Sequence, residues 1–129
     1  MDFSLGTDLI EIKRIKKALN RWGNRFLSRV FTPAEIEYCQ RKKSPEISLA
    51  ARFAAKEAAM KALGTGLSGG VRWIDFEVIR GARGRPEMTL SQNIKKRLKD
   101  GKMLVTLTHT REHAVAVVLL IQGNDSGRK

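Results

Sequence analysis

Cysteine is almost missing from this chain. Cys39 is its single thiol, which excludes an intramolecular disulfide and any cysteine-rich zinc site. It reads as a partly buried small hydrophobe. The two histidines, His109 and His113, cannot build a zinc site without help from carboxylates. Aromatic residues make up only 6% of the sequence, and neither a stacking motif nor a recognition-helix signature is visible, which argues against a nucleic-acid-binding module. No apolar run approaches the roughly 18 residues of a membrane span. Asp2 and Gly6 interrupt the start where a signal peptide would need a continuous apolar stretch. A soluble cytoplasmic protein is expected. Acids are scarce too, with 13 Asp and Glu against 25 Lys and Arg, a net charge of +12. The excess implies an anionic partner: nucleic acid, a phosphate-rich cofactor, an acidic protein or a membrane surface. Charge alone does not choose among them. With 42% hydrophobic and 29% charged residues over 129 positions, the composition is globular and fits one domain over residues 1–129. Residues 122–129 form a polar tail expected to fray.

What is abundant is alanine, in residues 47–66, reading ISLAARFAAKEAAMKALGTG. Alanine is the best helix former, and Gly64 after the last apolar residue is a good helix stop. The spacing predicts a helix over about 48–63. Leu49, Phe53, Met60 and Leu63 fall near one stripe, and Ala51, Ala55, Ala58 and Ala62 make a strip of small side chains that lets another element approach closely. Glu57 sits beside the apolar stripe, with Lys61 one turn on. Two readings stand for Glu57: a surface ion pair with Lys61, worth a few tenths of a kcal/mol, or a metal ligand with Lys61 reaching toward phosphate.

Residues 3–10 (FSLGTDLI) alternate as a strand, with Phe3, Leu5, Thr7 and Leu9 on one face and Ser4, Gly6, Asp8 and Ile10 on the other. Asp8 is a carboxylate inside a short apolar strand, beside a glycine that leaves room for something bulky. It reads equally as a cap for the next helix or as a ligand. An amphipathic helix follows over 12–19, with Ile12, Ile15 and Leu19 inward and Lys13, Arg14, Lys16 and Lys17 elsewhere. Arg21 and Arg25 extend the basic run past a break at 20–24, and Trp22, Phe26, Leu27, Val30 and Phe31 supply core. The basic residues read either as a solvated face or as a docking face. Thr32, Pro33 and Glu35 make a capping box that starts a helix ending near Lys42. Beyond the glycine-rich turn at 64–70, strands are expected at 73–80, 87–90, 102–108 and 114–121, with a helix from Ser91 to about Lys99. The nearly unbroken apolar run at 114–121 marks a central strand. The expected fold is α+β, a mostly antiparallel sheet packed against one long central helix.

Three blocks of this sequence resemble the bacterial holo-acyl-carrier-protein synthase family, in the phosphopantetheinyl transferase superfamily. They are Gly6-Thr7-Asp8-Leu9-Ile10-Glu11-Ile12-Lys13-Arg14-Ile15, Arg52-Phe53-Ala54-Ala55-Lys56-Glu57-Ala58 continuing through Lys61-Ala62-Leu63-Gly64-Thr65-Gly66, and Val105-Thr106-Leu107-Thr108-His109-Thr110 before an apolar strand. The resemblance runs from about Leu5 to Ile121. It implies a 4'-phosphopantetheinyl transferase-like fold and a Mg²⁺-dependent reaction. In that reaction the phosphopantetheine arm of coenzyme A moves to a serine of apo-acyl carrier protein, adenosine 3',5'-bisphosphate leaves, and fatty acid biosynthesis is supported. It implies a homotrimer with sites at subunit interfaces. Asp8 and Glu57 map onto the metal ligands, which tips both carboxylates toward the ligand reading. Lys61 is expected to bring positive charge to the transferring phosphate, and Lys61, Gly64 and His109 to line the coenzyme A site. Arg14 maps onto a carrier-binding arginine, and Lys17, Arg21 and Arg25 join it as candidates on spacing and charge. The resemblance assigns no partner role to nucleic acid or membrane. The sequence departs from the family at Ala51, often glycine, and at Thr108, often serine. The basic segment 81–85 gains no role beyond a contact with nucleotide phosphates.

Overall fold

The computed structural model describes residues 2–123, beginning with strand β1 (Phe3–Glu11) and helix α1 (Ile12–Trp22). No side chain caps α1, and its N-cap is Glu11, so Asp8 does not serve as the cap. The break expected after Leu19 comes at Gly23, whose φ of 53° lies in the region glycine tolerates best. Helix α2 (Asn24–Val30) follows. Helix α3 (Pro33–Gln40) starts on the expected capping box, with the Thr32 hydroxyl accepting from the Glu35 N–H and Glu35 accepting from the Thr32 N–H. The long helix α4 (Pro45–Leu63) stops at Gly64 in the left-handed conformation, as its sequence predicts.

The second half is strand β2 (Phe76–Arg80), strand β3 (Pro86–Leu90), helix α5 (Gln92–Arg97), strand β4 (Lys102–His109) and strand β5 (His113–Ile121). Among the described residues all strand pairing is antiparallel, in two sheets: β1-β5-β4 and β2-β3. The apolar strand β5 is central in the larger one. Residues 73–75 form a turn of 3-10 helix rather than strand, because the Asp75 side chain accepts from the Arg72 N–H and from Ser91, closing a local cap. The tail is tied down further than composition suggests. Gln122 donates to the Asp2 carbonyl and Gly123 to the Leu98 carbonyl, and the remaining tail residues, 124–129, lie outside the described ones. Cys39 is fully buried, and burial pushes its thiol up to about 11, so it is inert packing.

Helix α4 is buried on most of its circumference, between the larger sheet and the α1–α3 layer. Its alanine strip meets β1 at Gly6, where an added Cβ would fall 1.9 Å from the Ala58 carbonyl oxygen. The room left by that glycine is therefore filled by the helix itself. Ser4 fastens the same contact by donating to the Ala62 carbonyl at 2.7 Å. Gly6→Ala should force β1 and α4 apart and cost about 2–3 kcal/mol, measured as a lower denaturant midpoint. An unchanged midpoint would contradict the contact.

Candidate active site

Few positions of α4 escape burial. Phe53, Glu57, Lys61 and Gly64 lie one turn apart and leave an open stripe along the helix. The inward face of β1 crosses this stripe, because Gly6 lets the strand press against the helix backbone. That crossing brings the Asp8 carboxylate to Lys61, whose ammonium donates to Asp8 Oδ1 at 3.0 Å and to the Thr7 carbonyl at 3.0 Å. Asp8 is mostly shielded, its side chain 16% exposed, against 55% for Lys61. Partial burial pushes the Glu57 carboxyl above the ordinary carboxylate range, and the charge of Asp8 pushes it further, while Lys61 and Arg14 pull it back. Glu57, Asp8, Lys61 and Arg14 thus act on one another electrically from three elements.

Beside them lies a cleft of about 450 Å³ lined by Glu57, Met60, Lys61, Gly64, Gly66, Leu67 and Trp73. Trp73 forms its wall by stacking on Phe53, with centroids 5.0 Å apart, and Phe53 leans on Phe26. Glu57 in the lining of this cleft, with the Asp8 carboxylate acting on it electrically and paired to Lys61, suits a hard cation that completes its shell with phosphate and water. No cluster of three or more His, Cys, Asp or Glu side chains is found among the described residues, so a cation here would need ligands from outside the chain.

Arg14, Lys17 and Arg21 are all exposed on α1, which persists far enough to carry Arg21. Arg25 lies past the break on α2, and the guanidinium groups of Arg21 and Arg25 both face the Trp22 ring, at 5.0 and 5.9 Å from its centroid. His109 is elsewhere. It ends β4 beside a smaller pocket of about 190 Å³ that includes Ser48, Arg52, Arg80 and Thr108, so one chain does not bring it to Lys61 and Gly64.

Three basic residues, Arg52, Arg80 and Lys56, gain no role in the sequence reading. Arg52 is 4% exposed, its guanidinium lies 4.5 Å from the Tyr38 ring centroid, and its Nε has no hydrogen-bond partner among the described residues. Arg80 donates to the Tyr38 hydroxyl. Partial burial works to raise the pKa of that hydroxyl, but hydrogen bonds from Lys42 and Arg80 outweigh it and the net shift is downward. Lys56 is fully buried, ion-paired to Glu35 at 2.7 Å and bonded to the carbonyls of Trp73 and Phe76. The pair joins α3 and α4 to the strand after Trp73. Desolvation holds the pKa of Lys56 below the usual lysine value, although Glu35 pulls the other way. A signal for it exists: Lys56 lies at the centre of the stripe formed by Leu49, Phe53, Met60 and Leu63.

The chain belongs to the 4'-phosphopantetheinyl transferase superfamily, whose model matches residues 4–118. More particularly, it is 47% identical over 123 residues to the holo-[acyl-carrier-protein] synthase of Koribacter versatilis, covering 93% of this chain and 98% of that protein. The crystal structure of the Neisseria meningitidis holo-[acyl-carrier-protein] synthase superposes with a TM-score of 0.85 at 30% identity, over 92% of this chain and 98% of that one. The Helicobacter pylori synthase, solved in complex with coenzyme A, superposes with a TM-score of 0.82 at 30% identity, over 91% and 99%.

The raised pKa of Glu57 has a consequence for stability. The folded chain holds the Glu57 proton more tightly than the unfolded chain does. Stability is therefore lost as pH rises from the ordinary value of about 4.5 through the raised one. In chelator, Glu57→Gln should unfold at a higher temperature than the wild type at pH 7, with the gap closing as pH falls toward about 4.5. A gap independent of pH, or of opposite sign, would contradict this.

Proposed function

We propose that the chain is a holo-[acyl-carrier-protein] synthase: it transfers the phosphopantetheine arm of coenzyme A to a serine hydroxyl of apo-acyl carrier protein and releases adenosine 3',5'-bisphosphate. The observation that carries this reading is that Asp8 of β1 pairs with Lys61 and acts electrically on Glu57, both on an open stripe of α4 beside a cleft. The attacking oxygen comes from the partner, so the chain needs no nucleophile of its own. In the transfer the serine Oγ–P bond forms, the P–O bond to the bisphosphate breaks, and the serine proton passes to a base, for which Glu57 and a water held at Asp8 are the two candidates. Asp8 and Glu57 would hold Mg²⁺, which supplies charge neutralisation on the pyrophosphate oxygens. Lys61, on a flexible and half-exposed stem, reaches phosphate from the same side. The Trp73 and Phe53 stack gives the cleft an apolar flank.

The reading includes assembly as a homotrimer. Phe3, Leu5 and Leu9 are 62%, 69% and 62% exposed on the outer face of the larger sheet, with Leu104 at 49% and Val117 at 38% beside them. Such an apolar sheet face calls for a cover, and a further copy of the chain supplies one. Assembly also gives His109 a use. The pocket of Arg52, Arg80 and His109 is rich in positive charge and separate from the carboxylates within one chain. In the proposed composite site, one copy brings the carboxylates and its neighbour brings His109 to the nucleotide phosphates. The product serves fatty acid biosynthesis in the cytoplasm.

The direct test is incubation with apo-acyl carrier protein, coenzyme A and Mg²⁺, followed by mass spectrometry of the carrier. The carrier should gain the mass of the phosphopantetheine arm, and Asp8→Ala should slow this by at least about 100-fold. Wild-type turnover by Asp8→Ala would overturn the assignment.

Arg14, Lys17 and Arg21 follow the site on α1 and fit the acidic surface of a carrier protein. Contacts of this kind act mainly on association rate and salt dependence. Arg14→Glu with Arg21→Glu should weaken carrier binding about 10-fold or more at low salt while coenzyme A affinity stays nearly unchanged. Wild-type carrier affinity in that variant would move the docking face elsewhere, toward Arg83 and Arg85.

A further inference from the structure

The ion pair between Lys61 and Asp8 has a meaning of its own. Lys61 is one turn from Glu57, the nearer carboxylate in sequence, yet its ammonium donates across to β1. Asp8 is the more shielded partner of the pair. A shielded carboxylate is stabilised by a cation beside it, and in the free chain that counter-ion is Lys61. A divalent ion held by Asp8 and Glu57 would share a carboxylate with the ammonium. Like charges that close repel strongly in a partly desolvated site. The ammonium and the metal therefore compete for Asp8.

A displaced Lys61 has somewhere to go. Its side chain is 55% exposed and borders the cleft lined by Glu57, Gly64 and Gly66. With Glu57 also committed to the metal, a phosphate entering that cleft is the anion left for its stem to reach. A phosphate that attracts Lys61 also frees Asp8, and a metal that takes Asp8 also frees Lys61 for phosphate. Each event favours the other, and linkage makes the effect reciprocal.

We infer that Lys61 is a built-in counter-ion for Asp8 whose displacement couples cation binding to phosphate binding, so that the metal and the pyrophosphate of the substrate load as one unit. This rests on Asp8 and Glu57 being the metal ligands. It adds a role in the empty site to the role of Lys61 in the filled one. It also separates Lys61 from Arg14, which shares the field at Glu57 but has no bond to Asp8.

The test is a titration of the protein with Mn²⁺, with free metal followed by electron paramagnetic resonance, with and without saturating coenzyme A, whose own affinity for Mn²⁺ is measured in a protein-free control. Lys61→Met should bind Mn²⁺ about 5-fold or more tightly than wild type when no nucleotide is present, because the competitor is gone. In wild type coenzyme A should tighten Mn²⁺ binding by a larger factor than in Lys61→Met. Arg14→Met should move nucleotide-free affinity less than 2-fold. Circular dichroism and melting temperature confirm that each variant is folded, as expected for two exposed side chains. Wild-type or weaker Mn²⁺ affinity in Lys61→Met overturns the coupling. So does an equal gain in Arg14→Met, which would mean a general field effect rather than a specific pair. Asp8→Asn separates the two levels of the argument. If Asp8→Asn loses Mn²⁺ binding while Lys61→Met changes nothing, the metal site stands and only the coupling fails. If Asp8→Asn binds Mn²⁺ like wild type, the metal site itself is wrong and the coupling falls with it.

Discussion

Strand β1 and helix α4 touch backbone to backbone, and the rest of the site depends on that contact. Gly6 has no side chain, and its place is taken by the Ala58 carbonyl. Ser4 on one side and Lys61 on the other hydrogen-bond across the same seam. A strand held a few ångströms further out would still fold against the helix, but Asp8 would no longer share an electrical environment with Glu57 and Lys61. Small residues on both elements are thus what turns two acids far apart in sequence into one site.

A second constraint sets the other side of the helix. The pair of Lys56 and Glu35 is fully buried, so desolvation opposes it, and it persists because every charge is bonded. Glu35 also accepts from the Val78 N–H and from the cap of α3, and Lys56 donates to two carbonyls of the segment that carries Trp73. The residue before Glu57 in sequence therefore anchors the wall of the cleft that Glu57 faces. Site and scaffold occupy adjacent positions on one helix, turned 100° apart.

Much of this was legible in the sequence because the signals were local. The alanine run marked α4, the Thr32 to Glu35 box marked the start of α3, and the apolar run at 114–121 marked the strand at the centre of the sheet. Asp8 and Glu57 stood out as acids among apolar neighbours, and three blocks of sequence connected them to a family. What stayed hidden depended on tertiary partners. Arg52 and Lys56 look like solvated cations until the helix is seen to be buried nearly all round. The space beside Gly6 looked like room for a ligand until the helix was found in it. His109 matched the third block, but pattern alone cannot say that a single chain keeps it apart from Lys61. The strand expected from Trp73 onward starts three residues late because Asp75 makes a local cap, a side-chain competition that alternation does not reveal.

The central claim is that β1 and α4 together present one cation site, shared by Asp8 and Glu57. Anomalous diffraction from crystals grown with Mn²⁺ and coenzyme A addresses it directly. A single manganese peak in each site, at about 2.0–2.2 Å from carboxylate oxygens of both Asp8 and Glu57, is the predicted result. A peak bound by only one of the two acids, or by neither, would contradict the account.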